Sequence, residues 1–167
     1  MKFANISLGS DVEIDPSSSI NNVIIGDRVK IAKRCSIFGG PDNPLEIGAG
    51  SIIAMNSIIN GFAARVKIGV NVGIGQNSNI MADSGPTNSP QMQKVFPLVK
   101  GPINIGNHCW IGASAIIMPD VSLGDYCVVA ANSFVNKSFP EFSIIGGNPA
   151  KLIRFFTTEE IEKLQSI

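Results

Sequence analysis

The sequence is short of the residues that several classes of protein need. Its 167 residues contain 13 basic and 13 acidic side chains and therefore no net charge. Without a basic cluster, the electrostatic surface that nucleic acids require is not indicated. No apolar run approaches the length of a membrane span, and the opening residues MKFANISLG lack the apolar core of a secretory signal. We therefore expect a soluble protein of the cytoplasm.

Metal and disulfide chemistry also lack their usual residues. Three cysteines occur without a CxxC motif, and one histidine is too few for a zinc site of the common type. We expect no metal and no disulfide. What the sequence does contain is 17 glycines, 10 prolines and many asparagines, a composition typical of a turn-rich β architecture. With 44% apolar residues, the chain is long enough for one domain with a sizeable core.

An aliphatic residue returns at every sixth position through most of the chain. In sequence order the triplets are Leu8, Ile14, Ile20; Ile25, Ile31, Ile37; Ile47, Ile53, Ile59; Ile68, Ile74, Ile80; Val99, Ile105, Ile111; Ile117, Leu123, Val129; and then Val135. Six residues supply one short strand and one turn, so three units return the chain above its start. Each triplet predicts one coil of a parallel β-solenoid of about six coils, with insertions at one corner. In this grouping Ile80 and Ile111 share a face.

Two further positions repeat with the same period. Four residues after the aliphatic position a small residue recurs, and strand alternation points it inward. These residues are Ser18, Cys35, Ser51, Ser57, Ser78, Ser84, Cys109, Ala115, Cys127 and Ser133. The cysteines are therefore predicted to be small core residues. Three residues after the aliphatic position come Asn56, Asn71, Asn77 and Asn132, and asparagine tolerates the left-handed conformation of a tight corner.

The pattern predicts where the domain ends. Residues 1–154 form a β-helix domain with a loop insertion at 82–98, and residues 155–167 form a helical segment. In TTEEIEKLQSI, Thr157 as N-cap and Glu160 three residues later make a capping box. A helix here is placed to cover the open end of the solenoid.

Residues 103–154, INIGNHCWIGASAIIMPDVSLGDYCVVAANSFVNKSFPEFSIIGGNPAKLIR, resemble the carboxyl half of the hexapeptide-repeat acyltransferases. That family includes galactoside, maltose and polysaccharide O-acetyltransferases. The resemblance implies an all-β, left-handed parallel β-helix and a homotrimer that binds acetyl-coenzyme A between subunits. It also implies transfer of a short acyl group to a hydroxyl or amino group of a sugar or nucleotide-sugar, in surface polysaccharide assembly.

The resemblance implies roles for particular residues. Ala113 and Ala131, which are 18 residues apart, match the small residues that line the pantetheine groove through their backbone. Trp110 matches an aromatic wall beside the acyl site, although filling a subunit interface is an equally good interpretation. The residues matching positions near the nucleotide end of coenzyme A are Asn136, Lys137, Lys151 and Arg154.

The catalytic histidine of the family is missing. Its place falls at Gly85, before Pro86, in the stretch NIMADSGPTNSPQ. His108, the only histidine, is one candidate base, but it also suits a left-handed turn. Asp83 is a second candidate, as a base or as a group that orients the acceptor, and Ser84 adds a hydroxyl beside it. Asn56 is near the position where the family holds the acceptor.

Two alternatives need no strong base at all. An acceptor amine loses its proton more readily than a hydroxyl and needs chiefly orientation. The protein could instead be a catalytically silent trimeric scaffold that kept the groove and lost the histidine.

Overall fold

Tight corners in the left-handed conformation divide the chain into very short strands. In the computed structural model, which describes residues 3–86 and 88–166, the four predicted corner asparagines all have positive φ, between +53° and +60°. Arg34, His108 and Tyr126 occupy equivalent corners with φ between +56° and +59°. Each corner redirects the chain after a strand, so the predicted triangular solenoid is confirmed.

The strands stack in parallel on three faces, which we number in chain order. Face 1 contains residues 23–25 of β3 (Ser19–Ile25), β6 (Leu45–Ile47), β9 (Val66–Ile68), β14 (Ile103–Ile105) and β17 (Ser122–Leu123). Face 2 contains β2 (Glu13–Ile14), β4 (Lys30–Ile31), β7 (Ile52–Ile53), β10 (Gly73–Ile74), β15 (Trp110–Ile111), β18 (Val128–Val129) and β20 (Ser143–Gly146). Face 3 contains residues 19–21 of β3, β5 (Ser36–Gly39), β8 (Ile58–Gly61), β11 (Asn79–Met81), β16 (Ile116–Ile117) and β19 (Phe134–Val135). Strand β1 (Phe3–Leu8) lies below β3.

The aliphatic positions form the core. Each stacks on its counterpart in the next coil, as Ile31 does on Ile53 and Ile53 does on Ile74. From Ile20 onward, these side chains are at most 3% exposed, with the exception of Val99. Burying a side chain of this size contributes about 2 kcal/mol, so the repeated stacking stabilises the solenoid along its whole length.

The predicted register is wrong after the loop insertion. Ile80 stacks on Ile117, not in line with Ile111, which stacks on Ile74. Val99 belongs to no coil and is exposed. The true fifth and sixth triplets are Ile105, Ile111, Ile117 and Leu123, Val129, Val135. The six-residue spacing from Val99 to Ile105 is accidental, because the chain between Ile80 and Ile105 forms a projection.

The predicted small inward residues are buried, with one exception. All except Ser84 are at most 2% exposed. Ser84 is half-buried in β12 (Asp83–Ser84), because the chain has already left the coil at that point. Cys109 and Cys127 are buried free thiols. A hydrogen bond with the Cys127 thiol, together with burial, raises the pKa of Cys109.

Insertions occur where face 3 passes to face 1, which we call corner 3–1; the other corners are named in the same way. The longest insertion is a hairpin in which β12 pairs antiparallel with β13 (Val99–Lys100), with helix α1 (Pro90–Val95) between them. Ser89 caps α1 by accepting a hydrogen bond from the Met92 N–H. No side chain of α1 is buried. The predicted projecting loop is therefore an ordered hairpin with an exposed helix.

The carboxyl end departs from the six-residue repeat. Phe139, Ile145 and Ala150 are buried as a last, partial coil, and β21 (Lys151–Phe155) turns back antiparallel to β20. Helix α2 (Thr158–Gln165) follows, and the predicted capping box of Thr157 and Glu160 is present. Neither helix, in the ranges that the structure describes, is long and apolar enough to cross a membrane.

Candidate functional site

A groove runs along the upper part of corner 2–3. It has a volume of about 430 Å³ and brings together three of the predicted cofactor residues, Trp110, Ala113 and Ala131. The other lining residues are Gly75, Gln76, Gly112, Val128, Val129 and Ala130. Trp110 is 64% exposed and forms one wall. Its floor includes the small residues Gly75, Gly112, Ala113, Ala130 and Ala131, which leave space for an extended chain along the backbone.

Backbone amides in the floor of the groove have no partner within the part of the chain that the structure describes. At corner 1–2 the equivalent amides are capped by the coil above: Val70 N–H donates to Asn107 Oδ1 at 3.0 Å, and Asn107 N–H donates to Asp125 Oδ1 at 2.8 Å. In the groove, Ala113 and Ala131 occupy the capping positions and have no side-chain oxygen. Alanine at 113 and 131 therefore leaves the N–H groups of Gln76 and Ala113 uncapped, and the N–H of Ala131 likewise has no partner in the described chain.

Basic residues lie at the carboxyl end of the groove. Lys151 pairs with Gly146, which continues the column of small residues above Ala130. Arg154 lies further along the same strand, where its guanidinium donates to both carboxylate oxygens of Glu160 at 2.7 and 2.9 Å. Lys151 is therefore the better placed of the two cations for an anionic ligand.

Asn136 and Lys137 lie on a different corner from the groove. They follow β19 and begin corner 3–1, where the Lys137 ammonium is 5.4 Å from the centre of the Phe139 ring. Within one chain they do not line the groove.

The hairpin holds Asp83 in a defined orientation. Asn60 Nδ2 donates to Asp83 Oδ1 at 2.7 Å, and Asn60 Oδ1 accepts from the N–H of Phe62. Asp83 pairs across the hairpin with Lys100, and Ser84 pairs with Val99. Asp83 and Ser84 are both half-buried at the base of the projection.

The place of the family histidine is tight for a side chain. A Cβ at Gly85 would lie 3.0 Å from Leu98 Cα, closer than ordinary contacts allow. Glycine lets the two arms of the hairpin approach here. A side chain at this position would require Leu98 to shift by a few tenths of an ångström.

His108 lies on corner 1–2, where its ring begins an aromatic column. The ring stacks on Tyr126 with centres 4.8 Å apart, and Tyr126 stacks on Phe142 at 5.2 Å. The backbone N–H of His108 donates to Val70 O. These contacts, with φ of +56°, agree with the turn-forming interpretation of His108.

Asn56 lies on corner 2–3 in the lower coils, away from the hairpin. Its Oδ1 accepts from Arg34 Nε at 2.8 Å, and its Nδ2 donates to Asn77 Oδ1 at 3.1 Å. Within one chain Asn56 and the hairpin lie on different corners, because the hairpin leaves from corner 3–1. Its amide completes a polar ladder between coils.

The candidate residues therefore occupy three different corners of one chain. Two residues that the sequence analysis did not single out are Gln76, which lines the groove, and Asn60, which holds Asp83. Gln76 lies directly below Ala113, since Ser114 N–H donates to Gln76 O, but the hairpin between them hides this from an 18-residue period. No group of three or more His, Cys, Asp or Glu side chains in the described ranges is placed to hold a metal ion.

Comparisons with known proteins agree with this architecture. Residues 102–137 match the family described as bacterial transferase hexapeptide, six repeats. Over this segment the chain is similar to that hexapeptide family. The matched segment contains Trp110, Ala113 and Ala131, and it ends at Lys137.

Two curated relatives are acetyltransferases. The chain is 36% identical to galactoside O-acetyltransferase of Escherichia coli K12 over 89 residues, which are 53% of this chain and 43% of the relative. It is 47% identical to chloramphenicol acetyltransferase of Agrobacterium fabrum over 57 residues, which are 34% of this chain and 27% of the relative. The chain thus covers less than half the length of either protein.

Solved structures match over more of the chain. AntD, an N-acyltransferase from Bacillus cereus solved with dTDP and 3-hydroxybutyryl-CoA, superposes with a TM-score of 0.82 at 26% identity, covering 96% of this chain and 88% of AntD. A mutant of AntD solved with dTDP-4-amino-4,6-dideoxyglucose and coenzyme A gives a TM-score of 0.81 at 27% identity, with coverages of 96% and 91%.

Proposed function

We propose that the protein transfers a short acyl group from acyl-coenzyme A to an amino group of a nucleotide-linked sugar. The observation that carries this proposal is the pair of open amides of Ala113 and Ala131 beside the exposed wall of Trp110. Pantetheine is an extended chain with two amide groups, so its carbonyl oxygens suit unpaired N–H donors spaced one coil, about 4.8 Å, apart.

The charges give the cofactor a direction. Lys151 at the carboxyl end of the groove suits the phosphates, so the thiol end points toward Gln76 and the lower coils. Asn136, Lys137 and Arg154 stay in the proposal as further contacts to the nucleotide end. Asn136 and Lys137 would approach it from a neighbouring subunit.

The acceptor is proposed to be an amine because no imidazole is placed to activate a hydroxyl. Position 85 is a glycine, and His108 is stacked in a corner column. An amine with a pKa near 8 is partly neutral at physiological pH and attacks without a strong base. A relative solved with an amino sugar nucleotide supports this choice.

The reaction needs one proton to move. The neutral amine nitrogen forms a bond to the thioester carbonyl carbon, the carbon–sulfur bond breaks, and coenzyme A leaves as a thiol. The nitrogen loses one proton and the thiolate sulfur takes up one, so no net proton is released. We assign Asp83, held by Asn60, to orient the amine and accept its hydrogen bond, with Ser84 beside it. Asn56 remains a weaker candidate contact to the acceptor.

A homotrimer would complete the site. Asp83 lies on corner 3–1 and the groove on corner 2–3, so they meet when one subunit places its hairpin against the groove of the next. The exposed apolar side chains of the hairpin suit such a contact. We also propose, from the family resemblance, a cytoplasmic reaction in surface polysaccharide assembly.

Activity measurements test the choice of acceptor. Thioester cleavage should be measured with acetyl-coenzyme A and a panel of nucleotide sugars that carry an amine or only hydroxyls. We expect cleavage with amines, a mild effect of His108→Ala on kcat, and a raised acceptor KM in Asp83→Asn. Activity with hydroxyl acceptors that falls about 100-fold or more in His108→Ala would instead establish O-acylation with His108 as the base. Coenzyme A binding without cleavage by any acceptor would identify a silent scaffold.

A further inference from the structure

Gly73 is the one glycine in the described chain whose missing side chain leaves open space. A Cβ built at each of the other glycines meets another atom within 4 Å, but at Gly73 nothing lies within that distance. Its φ is not in the left-handed region, and it lies in strand β10. Neither a close approach of backbone nor a special conformation requires glycine at this position.

The neighbours of Gly73 show what the glycine creates. Its side chain would point outward on face 2, in a column with Ile52 in the coil below and Trp110 in the coil above. Both are large and exposed, by 51% and 64%. The members of this column, in order, are Glu13, Lys30, Ile52, Gly73, Trp110, Val128 and Ile144. Gly73 thus opens a notch with two apolar walls in an otherwise continuous ridge.

The notch lies at the thiol end of the cofactor groove. Gly75 and Gln76, two and three residues further along the same coil, line the groove itself. Below the notch, Ile52 and Met55 line a shallow depression of about 700 Å³. Met55 is 44% exposed, so the part of the depression next to the notch is apolar, whereas Glu13, Asp15, Lys30 and Lys33 line the rest. Ile52, Gly73 and Trp110 lie in successive coils, which are about 4.8 Å apart, and a short acyl chain spans that distance.

We propose that the Gly73 notch is the acyl-chain subsite and that it selects acyl groups longer than acetyl. This rests on the proposed function, because it uses the direction given there to the cofactor. The thioester leaves the groove near Gln76, and the acyl carbons turn into the space between Ile52 and Trp110. Gly73 is then the residue that determines acyl length, since any side chain there occupies the notch.

Calorimetry with acetyl-coenzyme A and butyryl-coenzyme A tests this without an acceptor. Each buried methylene strengthens binding about fourfold, so two give a limit of about 15-fold. We expect the wild type to bind butyryl-coenzyme A at least fivefold more tightly than acetyl-coenzyme A. In Gly73→Val the preference should disappear while the affinity for coenzyme A itself stays within twofold. Valine is a good strand residue in open space, so the melting temperature should not fall.

A matched control places the same side chain elsewhere. Asn104 points outward on face 1, so Asn104→Val adds a similar apolar surface away from the groove and should keep the butyryl preference. Equal affinity of the wild type for the two thioesters would overturn the proposal, and so would a preference that survives in Gly73→Val. Dissociation of the oligomer by Gly73→Val would also overturn it, because the notch would then hold a neighbouring subunit. A wild type that does not bind coenzyme A refutes the proposed function and this inference together; binding without acyl preference refutes the inference alone.

Discussion

Ala113 and Ala131 lack a side-chain oxygen, and the proposed coenzyme A site depends on that lack. At corner 1–2, Asn107 and Asp125 cap the amides of the coil below, and those corners are closed. At corner 2–3 alanine leaves the same amides open. At the capping position, corner 1–2 has Asn107 and Asp125, where corner 2–3 has Ala113 and Ala131.

Ala131→Asn should close the groove from within. Its Oδ1 would take the position that Asn107 Oδ1 holds at the other corner and would accept from the N–H of Ala113. We expect coenzyme A affinity to fall tenfold or more, while the melting temperature is unchanged or higher because an amide gains a partner. Calorimetry and thermal unfolding measure the two effects.

Ala49→Asn is the control for that substitution. Ala49 holds the equivalent position at corner 1–2, following Gly48, so the change is the same but lies away from the groove. Coenzyme A affinity should be unaffected. An equal loss of coenzyme A affinity in both variants would mean that the substitution perturbs the fold, and it would contradict the open-amide explanation.

The three cysteines should be unreactive in the folded protein. Burial raises the pKa of the Cys35 thiol, and a hydrogen bond with the Cys127 thiol, together with burial, raises that of Cys109, while the same hydrogen bond lowers the pKa of Cys127. Because all three side chains are buried and out of reach of a reagent, a thiol reagent should label none of them until the protein is denatured and should then label all three. Rapid labelling of the native protein would show that the coils open locally.

Residue-level prediction from the sequence succeeded where a role depends on the period. Inward positions and corner asparagines were predicted correctly because each coil repeats the same geometry. Ser84 was assigned to the core wrongly, since nothing in its spacing from Ile80 reveals that the strand ends there. Asn60 was missed because its role is to hold Asp83, a contact across an insertion that no period describes.

Among the elements, helix α2 has a stability that depends on pH through its cap. Hydrogen bonds from Arg154 and from the backbone of Thr157 lower the pKa of Glu160 from 4.5 to about 2. Because the folded pKa is the lower one, the contribution of the cap is complete above pH 4.5 and is lost as the pH falls toward 2. Carboxyl titration by NMR should give a Glu160 midpoint near 2, accompanied by fraying of α2.

Glu160→Gln separates the two functions of this side chain. Glutamine can still accept from the N–H of Thr157, but it lacks the charge that pairs with Arg154. In this variant the helix signal should no longer change between pH 4.5 and 2. A wild-type midpoint near 4.5 would contradict the capping geometry.

The elements were predicted less evenly than the residues. The capping box gave the start of α2 correctly, because it is a local signal in four residues. The hairpin of β12 and β13 was predicted only as a loop, and its end was misread because Val99 happens to fall six residues before Ile105. One aliphatic residue at the right spacing does not identify a coil. Six residues before Val99 stands Gln93, which is not aliphatic, so the period is not continuous through Val99.

For the whole molecule, the hairpin makes the oligomeric state testable. Val95 and Phe96 are 68% and 58% exposed at its end, which is a large apolar surface for a free subunit. If a neighbouring subunit covers them, Val95→Ser with Phe96→Ser should shift the trimer toward monomer in sedimentation experiments. The far-UV circular dichroism should be unchanged because neither side chain is in the core.

Leu8→Ser provides the comparison, since Leu8 is similarly exposed at the other end of the solenoid. It should leave the trimer intact. A double variant that sediments like the wild type would contradict the assignment of the hairpin to the subunit contact.

The confinement of insertions to corner 3–1 has a consequence for how the chain can change length. Closing a loop costs entropy that grows only with the logarithm of its length, about 0.6 kcal/mol for each doubling. The stacking of Ile80 on Ile117 and of Ile68 on Ile105 fixes both ends of the hairpin whatever lies between them. The coils thus act as a rigid frame with one exchangeable segment, and a hairpin of another length and sequence could be grafted between Met81 and Gly101 without disturbing the cofactor groove on the opposite side of face 3.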